Sequence, residues 1–282
     1  MYLEINGCRT YCEELGSRAR RTFLALHSPA GASDSRELES VFGNFSEKYR
    51  VIFFDLRGSG RSEEVGEPSF QQLSTDIEEL RNQLHLGKII LSGGSGGGFL
   101  ALEYTLRHPE GVAALILRGT GPIHVDLERV KKYVRSSGLR IDWDRFERYW
   151  TGHCLNETDM KEALSEMSPL YETPVKNANG IPVAKEPDIE PRYLHYRTHN
   201  FAMQEQMNGW NIVNRLGKID VPALIVHGDE DWIVPLEYAE LLRRGIPKST
   251  LEIFEGCSHS PQIEMKDKFV ALVYEFLANN GL

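Results

Sequence analysis

Short runs of uninterrupted apolar, β-forming residues punctuate this chain, and helical patterns separate several of them. They are RTFLAL (21–26), YRVIFFDL (49–56), KIILS (88–92), VAALILRG (112–119), VPALIVHG (221–228) and STLEIF (249–254). A strand with one wet face alternates apolar and polar residues. A strand apolar throughout is covered on both faces, as in a mostly parallel sheet between helix layers. The intervening patterns fit. Phe70, Leu73, Ile77, Leu80 and Leu84 share one helical face, with Ser69 as N-cap. A second helix over 99–107 stops at His108-Pro109. A third covers 235–244, with Pro235 in its first turn and Gly245 past its end. Phe269, Leu272, Val273, Phe276 and Leu277 mark a last amphipathic helix.

Between residues 122 and 216 the pattern changes to charged helices carrying Trp143, Phe146, Tyr149, Trp150, Tyr193, Tyr196, Phe201 and Trp210. This stretch also holds a Pro-rich loop, roughly 168–191, with NANG as a tight turn. The organisation expected is an α/β core in two parts, 1–121 and 217–282, interrupted by a helical cap, 122–216, where active-site lids sit. The 282 residues include scattered basic side chains and a net charge of −9, which argues against nucleic acid and mildly favours a neutral or cationic small-molecule substrate. The chain start lacks a secretion signal, and no apolar run approaches bilayer-spanning length. Cys8, Cys12, Cys154 and Cys257 lack metal-ligand spacing and read as reduced thiols in a cytoplasmic protein.

The stretch LSGGSGGGFL (91–100) carries the chemistry. A flexible Gly/Ser linker would have polar flanks, whereas here a buried strand precedes and an apolar helix follows. A P-loop would need Lys after the last glycine, and a dinucleotide fingerprint read from Gly94 would need glycine where Phe99 stands. Gly93-Gly94-Ser95-Gly96-Gly97 is instead G-x-S-x-G between strand and helix. Such a turn holds serine in a strained conformation and brings strand and helix so close that the flanking residues must be tiny. Ser95 is therefore the candidate nucleophile.

A nucleophilic serine needs a base and a group to orient it, in the chain order Ser, acid, His for this fold class. HGDEDWIVP follows the 221–228 run and EGCSHSP follows the 249–254 run, both just beyond strand C-termini. His259 is the candidate base. Of Asp229, Glu230 and Asp231 we take Asp231 as the acid.

These motifs resemble those of the α/β-hydrolase superfamily, and within it the proline iminopeptidase-like (S33-type) serine hydrolases. FFDLRGSGRS resembles that family's D-x-R-G-x-G-x-S, and GGSGGGFLALEYTLRHPEGVAALILRG its elbow, helix and next strand. HGDEDWIVP resembles its G-x-x-D-x-x-x-P, which places the acid on Asp231, and GCSHSP its base-bearing loop, which places the base on His259. The resemblance implies an α/β-hydrolase fold and neither a metal nor an organic cofactor.

The sequence also departs from the family. Where relatives have H-G-G-P-G, this chain has His27-Ser28-Pro29-Ala30-Gly31. The residue two after the His normally gives a backbone N–H to the oxyanion, and Pro29 has none. Gly96 remains one donor, and Ser28 is the candidate for the second; losing a donor costs about 100-fold or more in rate. Gly96 replaces the Trp that follows the nucleophile in typical iminopeptidases, and Trp232 stands where some relatives have an acidic residue that holds the substrate's amino group. Glu166 or Glu205 of the insertion could take over that role. The function expected is hydrolysis of a small or medium ester or lactone, with an iminopeptidase, or a ligand-binding homologue with little or no catalysis, as alternatives. Outside these motifs, His195 and His199 read as ordinary histidines of a lid helix, Cys257 as a small buried loop residue, and Arg57 and Arg61 as braces of a turn.

Overall fold

A computed structural model describes residues 1–18, 20–173, 175–176, 182–183 and 193–282. The NANG turn lies outside the described residues. In chain order the elements are β1 (Tyr2–Ile5), β2 (Cys8–Leu15), β3 (Thr22–Leu26), α1 (Arg36–Phe42), β4 (Arg50–Phe54), α2 (Phe70–Gln83), β5 (Ile89–Gly94), α3 (Gly96–Arg107) and β6 (Val112–Arg118). Then come α4 (Leu127–Ser137), α5 (Trp143–Thr151), α6 (Glu157–Met167), the short strands β7 (Val175–Lys176) and β8 (Pro182–Val183), and α7 (Tyr196–Phe201), continued by a π-helical turn over Ala202–Met207. The chain closes with β9 (Ala223–Gly228), α8 (Leu236–Gly245), β10 (Ser249–Phe254), α9 (Pro261–Glu264) and α10 (Lys266–Asn279).

Eight strands form one sheet in the order β1-β2-β4-β3-β5-β6-β9-β10. The pairs from β4 to β10 are parallel, and the β1-β2 and β2-β4 pairs are antiparallel. Side-chain alternation explains the apolar runs. Leu24, Ile52, Leu91, Leu115 and Ile225 enter one core with α2 and α3, while Phe23, Val51, Ile90, Ile116 and Val226 enter another with α1 and α10. Each of these strands is dry on both faces, so no polar position interrupts it.

The first strand pair has no such run. Its signal is Asn6-Gly7, with φ of 47° and 72°, the left-handed pair that a two-residue hairpin turn demands. Ser69 caps α2 by accepting a hydrogen bond from the Gln72 N–H. Gly245 lies inside α8, and Pro235 precedes that helix as its cap. Among the described residues no helix is long and apolar enough to cross a membrane.

Between β6 and β9 the chain builds a third core. Val130, Val134, Phe146, Tyr149, Met160 and Met167 pack together with Trp232, Ile233 and Val234 of the loop after β9. Asp126, Asp142 and Asn156 cap α4, α5 and α6. The segment is not purely helical, because β7 and β8 pair antiparallel.

Candidate active site

The C-terminal ends of β3, β5, β6, β9 and β10 meet at one edge of the sheet. Ser95 follows β5 with φ 50° and ψ −127°, a strained conformation for a residue with a Cβ. Its backbone is pinned: the Ser95 N–H donates to Arg118 O (3.1 Å), and Ser95 O accepts from the Gly98 N–H (2.9 Å) and the Thr120 hydroxyl (2.9 Å). The glycines around it are obligatory. A Cβ on Gly93 would lie 2.2 Å from Gly97 O, and one on Gly97 would lie 2.7 Å from His27 O.

Beyond β9, Asp231 is buried and both its carboxylate oxygens are engaged. Oδ1 accepts the N–H groups of Ile233 and Val234, each at 2.9 Å, and Oδ2 accepts from His259 Nδ1 at 2.8 Å. Burial alone would raise its pKa, but the charge and hydrogen bond of His259, with His227 and the Val234 N–H, hold the carboxyl below its ordinary value. An ionised carboxylate only accepts, so the His259 proton sits on Nδ1 and Nε2 is left as an acceptor. Gly119, at the end of β6 with φ 50°, lets this pair approach: a Cβ there would lie 2.6 Å from His259 O and 3.5 Å from its Nδ1. Asp229 serves differently, accepting from the N–H groups of Gly256 (2.7 Å) and Cys257 (3.4 Å), and Glu230 is exposed.

The loop after β3 lies against Ser95's neighbour. His27 Nε2 accepts the Leu56 N–H (2.9 Å), so its Nδ1–H donates to Ser28 O (2.8 Å) and fixes the loop. A Cβ on Gly96 would meet Ser28 Oγ at 2.6 Å, Met207 Cε at 3.1 Å and Pro29 Cδ at 3.3 Å. Two of the sequence departures are thus linked: side chains of the Ser28-Pro29 loop and the insertion crowd the space beside Gly96, so a larger residue there would require them to move. Among the described residues the Ser28 hydroxyl has no hydrogen-bond partner, and the Gly96 N–H donates to no backbone carbonyl.

The insertion reaches this edge at several points. Tyr171 packs edge-on against His259, with ring centroids 5.9 Å apart. Trp232 is buried among Tyr133, Trp150 and Tyr171. Arg129 of α4 donates to Trp232 O (2.9 Å) and Asp231 O (3.2 Å); no spacing in the sequence announces this contact.

Other singled-out residues are engaged elsewhere. Glu166 is ion-paired with Arg145, and Glu205 is exposed. His195 precedes α7 rather than sharing it with His199, and lies 2.9 Å from Gly60 O, whereas His199 lies between Ala30 O and Tyr149 O. Their ring nitrogens do not converge as metal ligands would. Glu78, His108 and Glu110 do come within 4.8 Å at their ligand atoms, but Glu78 already accepts from Arg81 and Tyr104. Arg57 pairs with Asp76 at 2.7 Å and Arg61 with Asp55 at 2.7 Å, as braces. Burial pushes the Cys257 thiol up, away from reactivity.

Comparisons with known proteins agree with this architecture. The family described as serine aminopeptidase, S33, matches residues 31–266. The proline iminopeptidase PfmaB of Pestalotiopsis fici is 27% identical over 281 residues, covering 98% of each chain. A proline iminopeptidase of Lactobacillus delbrueckii subsp. lactis is 28% identical over 307 residues, covering 98% of this chain and 97% of its own. The solved structure of the esterase EaEST from Exiguobacterium antarcticum superposes with a TM-score of 0.74 at 22% identity, covering 99% of both chains. This chain belongs to the S33 serine aminopeptidase family of α/β-hydrolases, and it is a hydrolase.

Proposed function

We propose that the protein is a serine hydrolase acting on a small or medium ester or lactone through an acyl-enzyme. The observation that carries this reading is the strained Ser95 at the strand–helix turn, on the same sheet edge as the 2.8 Å His259–Asp231 pair. Ser95 Oγ attacks the carbonyl carbon while His259 Nε2 takes its proton. The oxyanion lies against the Gly96 N–H and, in place of the N–H that Pro29 lacks, the Ser28 hydroxyl. The bond to the alcohol oxygen breaks, and His259 returns the proton to that oxygen. Water then attacks the acyl-enzyme by the same route, the acid leaves and Ser95 regains its proton. With a lactone, acid and alcohol leave as one hydroxy acid. Asp231 orients and stabilises the imidazolium. The segment 122–216 is the cap that selects the substrate, since Met207, Tyr171 and Arg129 meet the Gly96, His259 and Asp231 loops.

The full-length similarity to proline iminopeptidases favours a second reading, cleavage of an N-terminal proline. Against it, Glu166 is committed to Arg145, Glu205 faces solvent, and Trp232 is buried where an acidic residue would hold the amino group.

Ser95→Ala should lower kcat by about 10,000-fold or more on whichever substrate is turned over, with an unchanged circular dichroism spectrum. A fluorophosphonate should label Ser95 alone in the unsubstituted protein. Activity of the alanine variant within a few-fold, or label on another serine, removes the assignment. Rates on p-nitrophenyl esters, lactones and proline p-nitroanilide separate the two readings.

A further inference from the structure

The π-helical turn Ala202–Met207 divides its residues sharply. Gln204 and Glu205 face solvent, while Ala202, Met203, Gln206 and Met207 are buried. The three apolar members of that buried face join the core that contains Ala30 of the candidate oxyanion loop and Phe99 of α3. Met207 reaches Gly96 itself, with its Cε 3.1 Å from where a Cβ would stand. Gln206 lies among them, 8% exposed, and neither Oε1 nor Nε2 has a hydrogen-bond partner among the described residues. A buried carboxamide with both ends bare is rare in a folded protein. π-turns inside helices, moreover, recur at functional sites.

We infer that Gln206 is a specificity-determining residue whose carboxamide pairs with a primary carboxamide or lactam of the substrate. This rests on the ester or lactone reading above. One acceptor beside one donor is matched in full by a group that presents N–H and C=O on the same side, which closes a ring of two hydrogen bonds. An ammonium would satisfy only Oε1 and a carboxylate only Nε2, each leaving the other end buried and unpaired. Sites built to hydrogen-bond a substrate reject analogues that lack the bonding group, because their own polar atoms are then stranded. The preferred substrate is therefore neutral, with an amide in its acyl or its alcohol arm.

Two pairs of near-isosteric esters test this. In the acyl arm, p-nitrophenyl 5-amino-5-oxopentanoate is compared with p-nitrophenyl 5-methylhexanoate. In the alcohol arm, 2-amino-2-oxoethyl butanoate is compared with isobutyl butanoate. In at least one pair kcat/KM should favour the amide by about tenfold or more, after subtraction of the buffer rate. Gln206→Leu should reverse that preference, with Tm at or above that of the unsubstituted protein, since it removes a bare buried amide. A preference for the isostere in both pairs overturns the inference, as does a ratio untouched by Gln206→Leu; in either case Ser95-dependent hydrolysis of the esters leaves the broader reading standing. If none of the four esters is turned over, that broader reading fails instead. The inference is then decided by the thermal shift with pentanediamide: a rise lost in Gln206→Leu keeps it, and no such rise removes it.

Discussion

Two buried polar side chains, Asp231 in a strand-end loop and Gln206 in the insertion, stand in opposite states. At the strand ends the groups around Ser95 and His259 are held: Asp231 takes two backbone N–H groups and His259, and Ser95 O takes an N–H and a hydroxyl. The insertion turns several ion pairs toward solvent, as in Lys131 with Glu128 and Glu147 and Arg145 with Glu162. Its buried face leaves the Gln206 amide bare. Groups that react must be oriented before substrate arrives. A group that recognises substrate gains most when the ligand itself completes its hydrogen bonds. The difference fits the proposed division, in which reactivity belongs to the core and choice to the insertion.

The first way to break that division is at the acid. Asp231→Asn keeps the shape of the loop but forces the wrong tautomer on His259, and kcat should fall by about 1,000- to 10,000-fold. Asp229→Asn loosens only the contact with Gly256 and Cys257, and should cost less than about tenfold in kcat with a small drop in Tm. If steady-state kinetics ranked the two the other way round, the site would have to be redrawn around Asp229.

Glycines sharpen the same contrast. Gly93→Ala puts a Cβ 2.2 Å from a backbone oxygen, and urea unfolding should show a loss of about 3 kcal/mol or more. Gly217→Ala, just past the insertion and away from this turn, meets nothing within 4 Å and has no left-handed φ, so it should stay within about 0.5 kcal/mol of the unsubstituted protein. Equal effects would mean that the turn at Ser95 is not the rigid part.

Asp55 braces the core loops through Arg61 and Ser35. Burial would raise its pKa, but the Arg61 hydrogen bonds, the nearby His27 and the N–H groups of Arg61 and Ser35 lower it from 3.8 to about 2. A lowered folded-state value stabilises above the unfolded pKa and is lost as pH falls through the folded one. The brace should thus contribute roughly 2 kcal/mol that is present above about pH 4 and gone near pH 2. The stability gap between the unsubstituted protein and Asp55→Asn should narrow over that window in urea melts. A gap that is constant with pH would assign the effect to packing.

Most of the core was legible because burial on both faces leaves an unmistakable apolar run, and the turn at Ser95 because its sterics admit only glycine as neighbours. The β1-β2 pair was not read, since its strands are half exposed, although Asn6-Gly7 carried the signal. Helix α1 spans only Arg36–Phe42, too short for a period to emerge. Gln206 belongs to a polar string, Gln204-Glu205-Gln206, that reads as a solvent face; the π-turn shifts the register and carries its last member inside. Arg129 bonds to backbone carbonyls about a hundred residues away, and a carbonyl leaves no mark in a sequence.

Arg129 joins the insertion to the backbone of Asp231 itself, which makes Arg129→Met the finest test of the proposed division. Methionine keeps much of the apolar stem packed against the loop. It removes both charged hydrogen bonds to the carbonyls of Asp231 and Trp232. The Asp231 carboxylate keeps its own ties to the Ile233 and Val234 N–H groups, so the acid should shift slightly rather than come loose. The expected result is a fall in kcat of about tenfold, of similar size on small and bulky esters, with KM changed less than kcat. A loss confined to KM on bulky esters would place Arg129 in substrate choice alone. A loss of 1,000-fold would show that the cap holds the acid in place, and the boundary between reactivity and choice would then run through α4 instead of beneath it.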